Sequence, residues 1–427
     1  MKNKTNNIGI IIIILALTLP LLQYYTQKVF VKPLEGSYTL KQKPVFIIQD
    51  WFSGEFQNKY DTFFNDHFGF RSSFVRLYNQ LQYSLFNKVS AQNVIIGKND
   101  YLYEQQYIDS YFGTNFIGEK KINSRINKLL AIQEELKKHQ TQLIIVIAPG
   151  KGFFYPEFIP DSMNKERSIT NYEVYTSILT KSNIPFIDFN AAFLNMKDGS
   201  EIVLYPKTGI HWSQGSMPLI VDSILRKMEL VLNKNLVDVQ IDDISKSFIA
   251  DKQDSDIEKA LNLGLPVPIP LMTYPQISFK DESAYKPKVI SIADSFFWQL
   301  YRLGIHQKAF SHGEFWYYNQ QIFIDKLQMT DEVKNINYSE AIRKADILLL
   351  FTTEANLDRF PFGFIESFEH ASQSYINLEK DIRAMMKQIQ SDKKWFEKIQ
   401  EKAKSRGITV DSMLYLDAKF MIDQKYK

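Results

Sequence analysis

Two residues of this chain have the types and settings to do chemistry together, Ser295 and His211. Ser295 closes the run Val289-Ile290-Ser291-Ile292-Ala293-Asp294-Ser295-Phe296, in which apolar sequence of strand character stops at a small residue, an acid and a serine. A serine at the carboxyl end of a parallel strand lies where open α/β sheets place their chemistry, and the following helix points its N-terminus there. His211 stands far upstream in Lys207-Thr208-Gly209-Ile210-His211-Trp212, a segment with neither helical nor strand period. A serine hydroxyl is a weak nucleophile at neutral pH and needs an adjacent base, usually histidine. It also needs an oxyanion hole, which backbone N–H groups at a helix N-terminus supply. The junction has a plainer reading as well, in which Asp294 or Ser295 merely caps the next helix.

The chain has six histidines, so partners for the serine are few. His139 lies at a charged helix end, His370 in the C-terminal tail, and His67 before Phe68-Gly69-Phe70-Arg71; His306 and His312 bracket a mixed stretch. No close histidine pair is backed by carboxylates, and there is no cysteine, so the sequence implies neither metal nor soluble cofactor. The absence of cysteine also excludes disulfides. A formal charge of +3, spread along the chain, leaves no footprint for nucleic acid.

These side chains need a scaffold, and the pattern predicts one. Apolar residues fall at helical spacing from Lys121 to His139, followed by a buried-strand run from Leu143 to Ala148. Pro185 to Phe189 reads as a short strand, the stretch after Trp212 to Leu232 as a helix, and Lys288–Ala293 and Asp346–Phe351 as further strands. This alternation predicts an α/β domain over residues 105–366, a mostly parallel sheet with helices on both faces. Residues 242–287, rich in charge and proline, read as a loop-rich insertion with short strands. Residues 367–427 read as a helical extension. Upstream, residues 28–104 read as linker, helical segment and a hairpin over Val94 to Glu104. The apolar run Ile8 to Leu22, preceded by Lys2 and Lys4, predicts an uncleaved signal anchor over residues 1–27 with the body outside the cytoplasm. The run is itself shorter than the ~20 residues a spanning helix usually needs.

Several segments together resemble the alginate O-acetyltransferase family, membrane-anchored or periplasmic SGNH-hydrolase-like proteins that acetylate exported polysaccharides. Asp66-His67-Phe68-Gly69-Phe70-Arg71, followed by Ile95-Ile96-Gly97-Lys98-Asn99-Asp100-Tyr101-Leu102-Tyr103, is similar to that family's opening. Ala148-Pro149-Gly150-Lys151 with Tyr155-Pro156-Glu157 resembles its post-strand loop. Ile210-His211-Trp212 matches the last three positions of its D-x-H-W motif, and Ala293-Asp294-Ser295-Phe296 matches three of four in G-D-S-F.

The resemblance implies a nucleophile at Ser295 and a general base at His211. Two departures accompany it: the family's triad aspartate falls at Gly209, and Ala293 replaces a glycine. Asp188, Glu354 and Asp294 are the candidates for the missing carboxylate, and Asn356 for an oxyanion donor. Lys151, Arg71 and Trp212 are candidates for substrate binding, with ion pairing the plainer role for Lys151 and Arg71. The implied partners are a polysaccharide and a membrane protein carrying acyl groups. Three functions stay open on this reading: acetyl transfer, deacetylation at the same site, and polysaccharide binding or assembly on a retired triad.

Overall fold

The structure, a computed structural model, describes residues 2–36, 39–281 and 283–425. In chain order its strands are β1 (Val94–Ile96), β2 (Leu102–Glu104), β3 (Gln142–Ala148), β4 (Phe186–Asp188), β5 (Asp238–Ser247), β6 (Met272–Lys280), β7 (Lys288–Ala293), β8 (His312–Tyr317), β9 (Gln321–Phe323), β10 (Asp331–Glu332) and β11 (Ile347–Thr353). Seven of them form one sheet in the order β10-β9-β8-β7-β11-β3-β4. From β8 to β4 the strands run parallel; β9 and β10 add an antiparallel edge. The expected α/β architecture with a mostly parallel sheet therefore holds.

The central strands read as unbroken apolar runs because both of their faces are covered. Along β3, Ile144, Val146 and Ala148 join one core while Leu143, Ile145 and Ile147 join the other. Along β11, Ile347, Leu349 and Phe351 alternate with Leu348 and Leu350 in the same way. The first face is packed by the helices Phe189–Met196, Met217–Leu232 and Phe297–Arg302, the second by Glu119–Lys137 and Asn171–Lys181. Each fully buried Ile or Leu contributes about 1.5–3 kcal/mol, so a one-residue slip of β11 would forfeit many such terms at once. That double burial fixes where the strand ends fall, and so where Ser295 falls.

Three expectations need correction or refinement. No helix among the described residues is long and apolar enough to cross a membrane, so the expected anchor finds no support there. A helix does run over Lys2–Thr26, but its apolar run is short and Pro20 lies inside it. A Cβ on Gly69 would come within 1.9 Å of the Pro20 carbonyl oxygen, so this helix is laid against the start of the helix Arg71–Phe86. The stretch expected to be loop-rich holds a long antiparallel ribbon, β5 with β6, and the helix Asp256–Leu261. Its strands escape a period-based reading because β5 is exposed along nearly its whole length. Beyond the sheet, the helices Phe364–Ser391, Lys393–Arg406 and Val410–Lys425 close a small core of their own around Ile382, Ile389, Ile399 and Leu414.

Candidate active site

Ser295 follows β7 by two residues and precedes the helix Phe297–Arg302. The acid before it, Asp294, is wholly buried and ties the strand ends together. Its Oδ2 accepts hydrogen bonds from the Thr353 N–H (2.6 Å), the Thr353 hydroxyl (2.6 Å) and the Asn356 amide (2.7 Å). Its Oδ1 accepts from the Phe296 N–H at 3.1 Å. A buried carboxylate needs such a full set of donors. Asp294 thus locks the turn that presents Ser295 to the end of β11.

His211 comes from a segment without regular structure, and its backbone is held from several sides. Lys151, wholly buried, donates from Nζ to the carbonyls of Lys207 (2.9 Å) and Gly209 (2.6 Å). The Tyr205 hydroxyl donates to the Ile210 carbonyl, and the Glu258 N–H donates to the Thr208 carbonyl at 3.2 Å. Trp212 fills the core against Phe189, Phe193, Phe296 and Phe351. Pinned in this way, the imidazole brings Nε2 to 3.1 Å from Ser295 Oγ.

The other ring nitrogen, Nδ1, lies 2.6 Å from Oδ2 of Asp256. Asp256 opens the helix Asp256–Leu261, and its Oδ1 accepts from the N–H groups of Ile210 (2.8 Å) and Ile257 (2.9 Å). One carboxylate therefore orients the ring and the backbone next to it. With Nδ1–H given to Asp256, the Nε2 lone pair faces Ser295. The His211 and Asp256 side chains keep 19% and 31% of their surface exposed, so the chain of contacts is reachable from solvent.

Burial alone would discourage a charged imidazole, but the Asp256 carboxylate outweighs it, and Asp294 and Glu104 add to the effect; the His211 pKa is raised. Burial also works against charge on Asp256, yet His211 and the two backbone N–H groups prevail and hold its carboxyl below the ordinary range. Lys151 shows the opposite balance. Burial pulls its ammonium down to about 7, against the pull of Asp256 and Glu104.

None of the three expected acids sits behind His211. Asp188 caps the helix Phe189–Met196 through the Ala191 N–H (2.9 Å) and takes the Tyr172 hydroxyl (2.8 Å), three strands from β7. Glu354 is wholly buried beyond β11, accepts from the Ser110 hydroxyl, and is pushed by burial up to about 8. Asp294 is spent on the strand ends. Asn356, the expected oxyanion donor, gives an amide hydrogen to Asp294 and accepts from Arg359. Lys151 and Trp212 are both wholly buried beneath the histidine loop, Lys151 with its ammonium on two carbonyls and Trp212 with its ring packed among four aromatics, so neither presents a surface to a ligand. Arg71 pairs with Asp66 at 3.6 Å in the N-terminal helical segment.

Why the acid stands at 256 is visible at Gly209. A Cβ there would lie 2.7 Å from the Asp254 carbonyl oxygen and 2.9 Å from its carbon. Backbone occupies the space an aspartate would need, and two residues further along that backbone delivers Asp256 instead. The available signal was the pairing of an unexpected glycine, which often marks close backbone approach, with an acid heading a short helical pattern.

A family model for the SGNH hydrolase-like domain of the acetyltransferase AlgX matches residues 94–226. The likeness is to the alginate O-acetyltransferases. A probable alginate O-acetylase AlgJ of Pseudomonas syringae is 24% identical over 161 residues, 38% of this chain and 39% of that protein. Its counterpart from Pseudomonas aeruginosa is 21% identical over 188 residues, 44% of this chain and 45% of that protein. The chain thus aligns with less than half the length of these relatives. Among solved structures, the O-acetyltransferase domain of Pseudomonas putida AlgJ matches with a TM-score of 0.42 at 13% identity, over 64% of this chain and 99% of that one. Bacillus cereus PatB1 with a sulfonyl adduct matches with 0.42 at 10%, over 65% and 99%. The family expected from the motifs is the one found. The region matched by the family model includes the β1–β2 hairpin, β3, β4 and His211, and it ends before Asp256 and Ser295.

Proposed function

We propose that the chain is a serine O-acetyltransferase acting on a polysaccharide outside the cytoplasm, with Ser295, His211 and Asp256 as its triad. The observation that carries this reading is the run of contacts from Asp256 through the ring to Ser295, 2.6 and 3.1 Å. In the first half, Ser295 Oγ attacks the carbonyl carbon of an acetyl ester while His211 Nε2 takes the hydroxyl proton. The tetrahedral intermediate collapses, the donor's alcohol leaves with the proton held on His211, and acetyl remains on Ser295. In the second half a sugar hydroxyl gives its proton to His211 and attacks the acetyl-serine; Ser295 departs and regains the proton. Asp256 keeps the ring in the productive tautomer and stabilises the imidazolium formed in each half. The likeness to alginate O-acetylases supports a polysaccharide as acceptor; the proposed source of the acetyl group is a membrane acyl-carrying partner, as the sequence motifs imply.

The test is turnover of a small activated acetyl ester by the protein, with and without an oligosaccharide acceptor, followed by mass spectrometry. Acetyl trapped on Ser295 and then found on the acceptor is the expected outcome. Release of acetate alone in the presence of acceptor would make the protein an esterase. A wild-type protein that forms no adduct, even with a membrane acyl-carrying partner present, would leave only the binding role.

A further inference from the structure

We propose that the N-terminal arm is a positioning element for the triad: Asn79, together with a strap at Lys32–Glu35 clasped by Asn262, holds the far end of the helix Asp256–Leu261 so that Asp256 stays on His211. The inference rests on the reading of Asp256 as the orienting acid. A helix of six residues is too short to be stable alone, and its last carbonyls have no partner within the helix. Here the partners come from sequence some two hundred residues away. The Asn79 amide donates to the Leu261 carbonyl at 2.8 Å. Asn262, which ends the helix in the left-handed region at φ 49°, clasps Glu35 with a pair of bonds. The Glu35 N–H donates to Asn262 Oδ1 at 2.8 Å, and Asn262 Nδ2 donates to the Glu35 carbonyl at 2.9 Å.

The strap is in turn held by the arm. Arg76 donates from its guanidinium to the carbonyls of Lys32 (2.7 Å) and Pro33 (2.6 Å), and Gln80 accepts from the Leu265 N–H at 2.9 Å. Arg76, Asn79 and Gln80 are spaced three and four apart on the helix Arg71–Phe86, so one face of it makes all these contacts. The sheet positions Ser295; this arm positions Asp256. The two halves of the triad are thereby held by different parts of the chain.

The experiment uses the full chain with Asn79→Ala and Asn262→Gly, singly and together, and each again on Asp256→Asn. Glycine at 262 tolerates the left-handed backbone, so only the amide is lost. The readouts are the His211 ring titration by NMR and the kcat and KM of ester turnover. The charged groups acting on His211 are Asp256, Asp294, Glu104 and Asp254, with Lys151 beneath the Gly209 carbonyl, and neither Asn79→Ala nor Asn262→Gly alters any of them. A misplacement of ~1 Å can cost about 100-fold in rate, so the paired variant is expected to lose about 10- to 100-fold in kcat with KM unchanged. The His211 titration should move to lower pH, as is expected of Asp256→Asn too, and on that background the losses should vanish. An unmoved titration in a folded variant, or a loss of full size on Asp256→Asn, would overturn the proposal. Should the paired variant not fold, Arg76→Ala releases the strap while keeping both asparagines; the same shift, smaller, is expected, and no shift overturns the proposal. A wild type that turns over no ester, yet whose His211 titration answers both Asp256→Asn and Asn262→Gly, would sink acetyl transfer and leave the positioning role standing.

Discussion

The two halves of the site are built on different principles. Ser295 and Asp294 sit at the ends of β7 and β11, where packing on both faces of the sheet leaves little freedom. His211 and Asp256 sit on segments outside the sheet, held by side-chain bonds to backbone: Lys151 and Tyr205 on one, Asn79 and Asn262 on the other. The sheet half is held by burial, which many residues share. The loop half is moored in the core by Trp212, Ile257 and Leu261, but its alignment rests on a few polar contacts, each worth about 1 kcal/mol net and more when a buried partner is orphaned. Damage to the first should cost folding, and damage to the second should cost alignment.

The largest effect should come from the reacting groups themselves. Ser295→Ala and His211→Ala should each lower ester turnover by at least about 10³-fold, since members of such a triad fail together. Thermal melts of both should stay close to wild type. Asp256→Asn comes next, with a loss on the order of 10²- to 10⁴-fold. The base form of His211 is the neutral ring, so activity falls as pH drops through its raised pKa. Without the Asp256 charge that pKa falls, and the acidic limb of the rate–pH profile should move to lower pH even as the plateau drops. A limb that stays in place would show that Asp256 is not the group acting on the ring.

Smaller effects would sharpen the contrast between alignment and folding. Gly209→Ala should cost about 1–3 kcal/mol by overpacking against the Asp254 backbone, read in denaturant melts, and should also slow turnover. Lys151→Met should cost about 1–3 kcal/mol, because it strands two carbonyls, with a rate loss below that of Asp256→Asn. Glu354→Gln should be the mildest for catalysis and informative for stability. Its folded pKa, raised to about 8, keeps Glu354 protonated while the unfolded chain ionises from about 4.5 upward, so stability falls as pH rises across that window. The glutamine variant should flatten that slope in melts taken from pH 5 to 8 and leave turnover unchanged. A large loss of turnover would return Glu354 to consideration as a group of the site.

What could be read from the sequence follows the same division. The strands β3, β7 and β11 announce themselves as apolar runs because burial on both faces imposes that pattern, and the place of Ser295 comes with them. β8 was missed because its six residues, from His312 to Tyr317, mix polar and aromatic types beside the antiparallel edge. The acid was missed for a deeper reason. Asp256 heads only a short helical pattern in a stretch otherwise rich in charge and proline, and its nearness to His211 is a tertiary fact that local spacing does not encode. Lys151, after Pro149-Gly150, looks like an exposed turn lysine, and only its two buried carbonyl partners reveal it as a peg under the histidine loop.

The tight approach at Gly209 also bears on how such a site can change. Aspartate at 209 and the present course of residues 254–256 exclude each other, since both claim the same volume. A single substitution at 209 therefore cannot return the acid to the place two before the histidine; the neighbouring segment must withdraw first. A motif keyed to an acid at that spacing passes over this chain, although a different part of the sequence supplies the carboxylate beside the imidazole.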